Sequence, residues 1–173
     1  MMYEYNCEIL RVVDGDTVDV SIDLGFDISY KSRVRLYGID TPESRTRDKD
    51  EKARGLMSKE YLMNELSKGQ VVIKTHKDKK GKFGRVLGEM YVGDKNINLM
   101  MVDDCLAVEY YGQSKEEIEK EHIKNSHKFT EIHFDFIAIH IASEPSARVV
   151  ISFIVHKLLL FIYYLGQTNL FLL

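Results

Sequence analysis

Hydrophobic and polar residues alternate along the first part of the chain in the way that half-buried strands require. From Thr17 onwards every second residue is apolar, and these residues are Val18, Val20, Ile22 and Leu24. An apolar, β-branched stretch at 8–13 precedes this segment, and Asp14-Gly15 supplies the turn between them. Residues 32–39 alternate again, with Val34 and Leu36 on one face and Arg33, Arg35 and Tyr37 on the other. The pattern predicts three consecutive strands.

Helical spacing replaces this alternation at 50–66. That segment consists of good helix formers, and Gly69 follows where a helix exit is expected. Its apolar residues fall on one broad face of the predicted helix: Leu56, Met57, Leu62, Met63 and Leu66.

Two further strands are predicted at 71–75 and 85–92, joined by a polar segment. Helices are predicted at 97–105 and 114–124, and Ser114 with Glu117 forms a capping box at the start of the second. Three strands, a helix, two strands and further helices fit an α+β fold, a five-stranded OB-type barrel with about three helices.

Composition is that of a soluble globular protein, with 29% charged and 45% hydrophobic residues. The net charge of −3 lacks the basic excess of a general nucleic-acid binder, so binding would rest on a local basic patch. Cys7 and Cys105 show no metal or redox spacing and are predicted to be small buried residues in a reducing compartment. Residues 1–6 contain no leader pattern, which predicts a cytoplasmic protein.

Candidate chemistry is concentrated in three short strings: Asp14-Gly15-Asp16-Thr17-Val18, the stretch 35–43, and Phe83-Gly84-Arg85. Asp16 and Asp40 lie at the ends of different predicted strands, where a barrel can bring them together. Two carboxylates there suit a hard cation, calcium or magnesium, and the absence of neighbouring Cys or His argues against zinc. The alternative is that these aspartates only form turns and end strands.

Taken together, the three strings resemble the catalytic core of the staphylococcal nuclease (thermonuclease) family over about residues 7–124. The resemblance implies an OB-type barrel and a nuclease that cleaves DNA and RNA on the 5′-oxygen side, leaving 3′-phosphates. It places calcium ligands on Asp16, Asp40 and the carbonyl of Thr41, with Mg²⁺ and Mn²⁺ as alternative ions. It assigns to Glu43 the role of taking a proton from the attacking water or orienting it. The main alternative is a non-catalytic module that binds nucleic acid or protein on the same barrel.

Arginines are the expected phosphate clamps, because a guanidinium matches two phosphoryl oxygens and stays charged. The resemblance assigns this role to Arg35 and Arg85. Arg33, on the same strand face, is a rival to Arg35, and both could be ordinary surface charges.

Substrate contacts beyond the clamp are expected from a basic segment and a tyrosine pair. The basic segment runs from Lys74 to Arg85 and includes Lys80 and Lys82; a backbone-tracking role is favoured over a merely solvated loop. Tyr110 and Tyr111 could stack on a base, and a buried tyrosine pair is the alternative.

Sequence character changes near Asn125, which predicts a nuclease domain at 1–125 and a separate tail at 126–173. Residues 149–165 are apolar except for Ser152, His156 and Lys157, at the short limit for a membrane span. Four interpretations stay open: a marginal membrane anchor, an extra helix on the barrel, a partner-binding helix, or an abnormal terminus from a frameshift or misread stop.

Overall fold

A closed five-stranded barrel forms the part of the chain that the computed structural model describes, which is residues 3–76, 85–126 and 128. The chain divides into two compact units, Met1–Phe129 and Thr130–Leu173, and every described residue belongs to the first. The predictions for the tail therefore lie outside the described residues, apart from Ser126 and Lys128.

Strands and helices follow one another in the predicted order. Along the chain they are β1 (Tyr3–Asp14), β2 (Thr17–Asp23), β3 (Ser29–Leu36), β4 (Ile39–Asp40), α1 (Lys49–Leu66), β5 (Val71–His76), β6 (Val86–Val92), β7 (Lys95–Asn96), α2 (Ile97–Asp103), β8 (Val108–Glu109) and α3 (115–126). The sheet order is β3-β2-β1-β5-β6-β7, and a parallel pairing of β3 with β6 closes the ring of five long strands. β4 and β8 form a separate two-stranded sheet. The predicted α+β fold with an OB-type barrel is confirmed.

The barrel interior is filled by the apolar residues that the alternation singled out, except Leu24, which follows the end of β2 and is 45% exposed. Val18 and Val20 are fully buried, and Ile22 is 4% exposed. They pack with residues from the other strands and with α1 and α2, among them Val34, Leu36, Leu62, Ile73, Met90, Ile97 and Met101. The polar residues between them in β2 and β3 face outward, and this outer face carries the chemistry described below.

The third strand is as long as predicted but lies three residues earlier, at Ser29–Leu36. β3 ends at Leu36, not at Ile39, because Gly38 adopts a left-handed φ of 76°. This turn redirects the chain, so Ile39 and Asp40 pair with β8 as a separate short strand. The change of direction moves Asp40 back towards the end of β3.

Helix α1 begins within one residue of its predicted start and ends at the predicted Leu66. The side chain of Asp48 caps it by accepting hydrogen bonds from the backbone N–H groups of Asp50 and Glu51, both at 2.9 Å. The predicted apolar face is wrong in part, since Leu56, Met57 and Met63 are exposed. The buried face instead includes Gly55, Ser58, Leu62, Glu65 and Leu66. Small residues are needed there because α1 approaches the backbone of two loops closely.

Helix α3 carries the cap that the sequence indicates. At α3 the Ser114 N–H donates to Glu117 at 2.9 Å and the Glu117 N–H donates to the Ser114 hydroxyl at 3.3 Å, which is the predicted capping box. Helix α2 ends at Asp103, before the predicted Cys105, which adopts a φ of 60° and is partly exposed.

Cys7 is buried as predicted, and burial raises the pKa of its thiol to about 11.

Within the described ranges, no helix has both the length and the apolar character needed to cross a membrane. The predicted marginal span at 149–165 lies outside those ranges and stays a prediction.

Candidate active site

A cavity of about 630 Å³ at the mouth of the barrel is the candidate site, and we call it the central cavity. Its lining includes the five side chains that the sequence singled out for the chemistry: Asp16, Arg35, Asp40, Glu43 and Arg85. They come from the β1–β2 turn, β3, β4, the loop after β4 and the approach to β6. Barrel closure through the β3–β6 pairing brings these distant segments together.

Arg35 joins the two aspartates of the site. Its Nη1 forms an ion pair with Oδ2 of Asp16, and its Nη2 donates to Oδ1 of Asp40 at 2.6 Å. In the β2–β3 register Arg35 lies opposite Thr17, which is the residue directly after Asp16 in the chain. Its side chain is only 14% exposed, so the ion pair is largely shielded from water.

Asp16 is held on both carboxylate oxygens by groups other than the arginine. The Thr17 hydroxyl donates to Oδ1 at 2.8 Å, and the Thr41 N–H donates to Oδ2 at 3.3 Å. Burial raises the pKa of Asp16 above its ordinary value, although Arg35 opposes the shift. Burial therefore outweighs the stabilisation that Arg35 and the two hydrogen bonds give to the ionised carboxylate.

Asp40 behaves differently from Asp16. Burial alone would raise its pKa, but hydrogen bonds from His122 and Arg35, with their charges, outweigh burial and leave the pKa lowered. Nε2 of His122 lies 3.0 Å from Oδ2 of Asp40, and the imidazole is nearly buried. No role was predicted for His122, and the expectation that no His lies beside the two aspartates is wrong. The sequence feature that could have indicated His122 is Ile118, an apolar residue one helical turn earlier on an otherwise charged helix. Residues four apart lie on the same helix face, and both Ile118 and His122 are buried.

Glu43 is exposed on a turn whose backbone is fixed from two sides. Oδ1 of Asp14 accepts a hydrogen bond from the Ser44 N–H at 3.4 Å. On the other side Gly55 of α1 touches the turn: a Cβ there would lie 2.6 Å from Glu43 C, Pro42 O and Ser44 N. Partial burial, followed by the negative charges of Asp14, Asp16 and Asp40, raises the pKa of Glu43. Such a carboxylate takes up a proton more readily than a free one.

The predicted tyrosine pair lines a neighbouring cavity of about 300 Å³, which shares Arg35 and Arg85 with the central cavity. Tyr110 and Tyr111 are 38% and 64% exposed, so the alternative of a buried pair is wrong. The Tyr110 N–H donates to the Gly38 carbonyl at 2.8 Å, which fixes the pair beside the end of β3.

The predicted basic segment is described only at its ends, and Lys80 and Lys82 lie outside the described residues. At the first end Lys74 pairs with Glu4 at 3.0 Å, and His76 lies 2.6 Å from Glu89. Arg85, at the other end, lines the central cavity.

Arg33 and Arg35 point to the same face of β3 but have different partners. Arg33 forms a two-bonded ion pair with Asp19, at 2.7 Å from Nε and 3.1 Å from Nη2. Of these two arginines, only Arg35 contacts Asp16 and Asp40. The geometry therefore distinguishes the two rivals and places Arg35 at the aspartates.

The residues expected to hold a cation are Asp16, Asp40 and Thr41. No group of three or more His, Cys, Asp or Glu side chains is arranged to hold a metal ion among residues 3–76, 85–126 and 128. The two aspartates offer only hard oxygen donors, which calcium and magnesium prefer. The central cavity is lined by five carboxylates and four arginines, so a divalent cation would make its charge favourable for a phosphodiester.

A cavity lined by opposed carboxylates and arginines, at the mouth of an OB-type barrel, defines a candidate phosphodiester site. The model of the family described as Staphylococcal nuclease homologue matches residues 33–130. The chain belongs to the staphylococcal nuclease family.

Similar proteins include two thermonucleases. The one from Staphylococcus intermedius is 31% identical over 99 residues, covering 57% of this chain and 56% of the relative. The one from Staphylococcus hyicus is 26% identical over 104 residues, covering 60% and 59%. Protein ParB of Escherichia coli is 31% identical over 116 residues, covering 62% and 58%. The chain thus spans somewhat more than half the length of each of these relatives.

Proposed function

We propose that this chain is a metal-dependent nuclease that hydrolyses phosphodiester bonds of DNA and RNA. The observation that carries the proposal is the meeting of Asp16, Arg35, Asp40, Glu43 and Arg85 around one cavity. Membership of the family and the similarity to two thermonucleases support it.

Arginines bind and orient the substrate in this proposal. Arg35 and Arg85 border both the central cavity and the tyrosine-lined cavity, so a phosphate between them can leave its base beside Tyr110 and Tyr111. Their guanidinium groups donate to the non-bridging oxygens and stabilise the negative charge that grows during attack. Base stacking on exposed tyrosines is tolerant of sequence, which agrees with activity on both nucleic acids.

Glu43 takes the proton of the attacking water. The water oxygen forms a bond to phosphorus, the bond from phosphorus to the 5′-oxygen breaks, and the leaving oxygen is protonated from solvent. The products are a 3′-phosphate and a 5′-hydroxyl. The raised pKa of Glu43 supports this role, because a carboxylate with a higher pKa is a stronger base.

Calcium is the proposed cofactor, with Mg²⁺ and Mn²⁺ as alternatives. Asp16, Asp40 and the Thr41 carbonyl would hold the ion, and it would neutralise charge on the phosphoryl oxygens. The buried Asp16, whose pKa is raised, fits such an ion because a cation stabilises its ionised form.

One observation favours the rival function, a non-catalytic binding module. Arg35 is engaged by Asp16 and Asp40 together, so it reaches a phosphate only if the substrate or a cation competes for these contacts. In a module that only binds, the same ion pairs would simply stabilise the barrel mouth.

Cleavage of end-labelled single-stranded DNA and RNA separates the two functions. The purified chain is assayed in Ca²⁺, Mg²⁺, Mn²⁺ or chelator, beside Arg85→Ala, and the product ends are identified. We expect metal-dependent cleavage to 3′-phosphates that falls at least 100-fold in Arg85→Ala. Binding without cleavage in every metal would favour the module instead.

A further inference from the structure

Arg33 is the candidate for a second phosphate contact. Its side chain is 47% exposed and lines the central cavity beside Arg35. Both carboxylate oxygens of Asp19 accept hydrogen bonds from it. This two-bonded contact holds the guanidinium in one orientation, so less side-chain freedom is lost when a ligand binds.

Asp19 holds a second arginine as well. In the strand register Asp19 lies opposite Arg11 of β1 and opposite Arg33 of β3, and Arg11 Nη2 is 3.0 Å from Asp19 Oδ2. Two arginines on one aspartate leave this row of the barrel surface positively charged. Of the two, only Arg33 lines the central cavity.

The distance between Arg33 and Arg35 suits the spacing of phosphates in a polynucleotide backbone. Arg33 and Arg35 are two residues apart on the same face of β3, a separation of about 7 Å along a strand. Neighbouring phosphates of an extended single strand are separated by a comparable distance. A phosphate at Arg35 therefore brings the next one along the chain within reach of Arg33.

We propose that Arg33 binds the phosphate adjacent to the one held at Arg35, so that the nucleic-acid strand runs along β3. The inference rests on the proposed nuclease function, because that function places the first phosphate at Arg35. It makes the substrate a polynucleotide of several nucleotides, and it makes Arg33 a substrate-binding residue.

Salt-dependent binding tests this inference with a matched control. Arg33→Gln and Arg11→Gln each remove one arginine from Asp19 and leave it the other. The full chain and both variants are titrated in chelator with a single-stranded DNA hexamer and with a dinucleotide that carries one bridging phosphate. Each phosphate contact on a single strand contributes about 0.7 to the slope of log K against log salt concentration.

We expect Arg33→Gln to lower the hexamer slope by about 0.7 and to weaken hexamer binding roughly three- to tenfold at low salt. Arg11→Gln should keep the slope of the unchanged chain, and the two variants should bind the dinucleotide alike. Equal slopes in all three proteins, equal losses in both variants, or no hexamer binding by the unchanged chain would each overturn the inference.

Cleavage of the hexamer in Ca²⁺ is measured separately, so the two proposals can fail independently. The same cleavage assay is run in Mg²⁺ and in Mn²⁺. If the chain binds with the Arg33-dependent slope but does not cut in any of the three metals, the nuclease proposal is wrong and the phosphate contact stands. A chain that cuts without any dependence of binding on Arg33 keeps the nuclease proposal and loses the contact.

Discussion

His122 of α3 contacts Asp40 of β4 across 82 positions of sequence, with Nε2 lying 3.0 Å from Oδ2. Arg35 takes the other oxygen of Asp40, so both carboxylate oxygens have a partner. The contact connects the last described helix to the proposed cation site and fixes the orientation of one of its ligands.

Replacing His122 should therefore weaken cation binding. We expect His122→Leu to raise the Ca²⁺ concentration for half-maximal cleavage 10- to 100-fold, as is typical when a partner of a metal ligand is lost. His122→Asn, which keeps a donor, should recover part of this. A Ca²⁺ titration of cleavage is the measurement, and an unchanged midpoint in His122→Leu would leave the contact a structural role only.

Gly55 is predicted to support Glu43 through the backbone. Alanine in place of a helical glycine ordinarily stabilises a protein by about 1 kcal/mol. At Gly55 the added Cβ would lie 2.6 Å from the backbone of the Glu43 turn, and both partners are rigid.

We therefore expect Gly55→Ala to destabilise the fold by about 1–3 kcal/mol and to lower kcat more than it weakens DNA binding. Lys52→Ala, at an exposed position of the same helix, is the control. Chemical denaturation and steady-state kinetics test both parts, and a stabilised Gly55→Ala with normal kcat would be inconsistent with the close approach.

Glu89 gives the barrel an acid-sensitive contact. Burial would raise its pKa, but hydrogen bonds from Tyr91, His76 and Asn96 outweigh burial and lower it. A lowered folded-state pKa adds stability above the unfolded-state pKa, and this contribution is lost as the pH falls through the folded value.

Glu89→Gln should thus cost about 1 kcal/mol at pH 7, a modest value because the side chain is partly exposed to water. The cost should shrink once the pH falls below about 4. Urea unfolding at several pH values measures this, with Glu8→Gln as the control. If the loss of stability in Glu89→Gln did not depend on pH, the ionised carboxylate of Glu89 would not be its source.

Cys105 adopts a left-handed conformation that a side chain disfavours, with φ of 60°. Glycine at this position removes a strain of about 1–2 kcal/mol but costs about 0.5–1 kcal/mol of chain entropy. We expect Cys105→Gly to stabilise by about 0.5–1 kcal/mol and Cys105→Ala, which keeps the Cβ, to give no such gain. Thermal unfolding compares the two, and equal melting temperatures would exclude backbone strain.

The barrel was predictable from sequence because its signals are local. Alternation in β2 placed Val18, Val20 and Ile22 in the core, and the capping box marked the start of α3. The proximity of Asp16 and Asp40 could be predicted because Asp16 directly precedes one strand and Asp40 ends another.

Other features depend on how distant elements pack, and sequence patterns do not contain that information. The partnership of His122 with Asp40 requires the position of α3, and the exposure of Leu56 and Met57 follows from the close approach of α1 at Gly55. Arg33 and Arg35 look alike in the sequence. Only their partners in the fold distinguish them, because Arg33 pairs with Asp19 and Arg35 pairs with Asp16 and Asp40.

The central claim, that Glu43 serves phosphodiester hydrolysis in this chain, is tested most directly by single-turnover cleavage of labelled DNA in Ca²⁺. Glu43→Gln is compared with Glu60→Gln, an exposed glutamate of α1. The account predicts that Glu43→Gln cuts 10²- to 10⁴-fold more slowly with DNA affinity nearly unchanged, and that Glu60→Gln cuts normally. Equal cleavage rates in the two variants, or no cleavage by the unchanged chain, would contradict it.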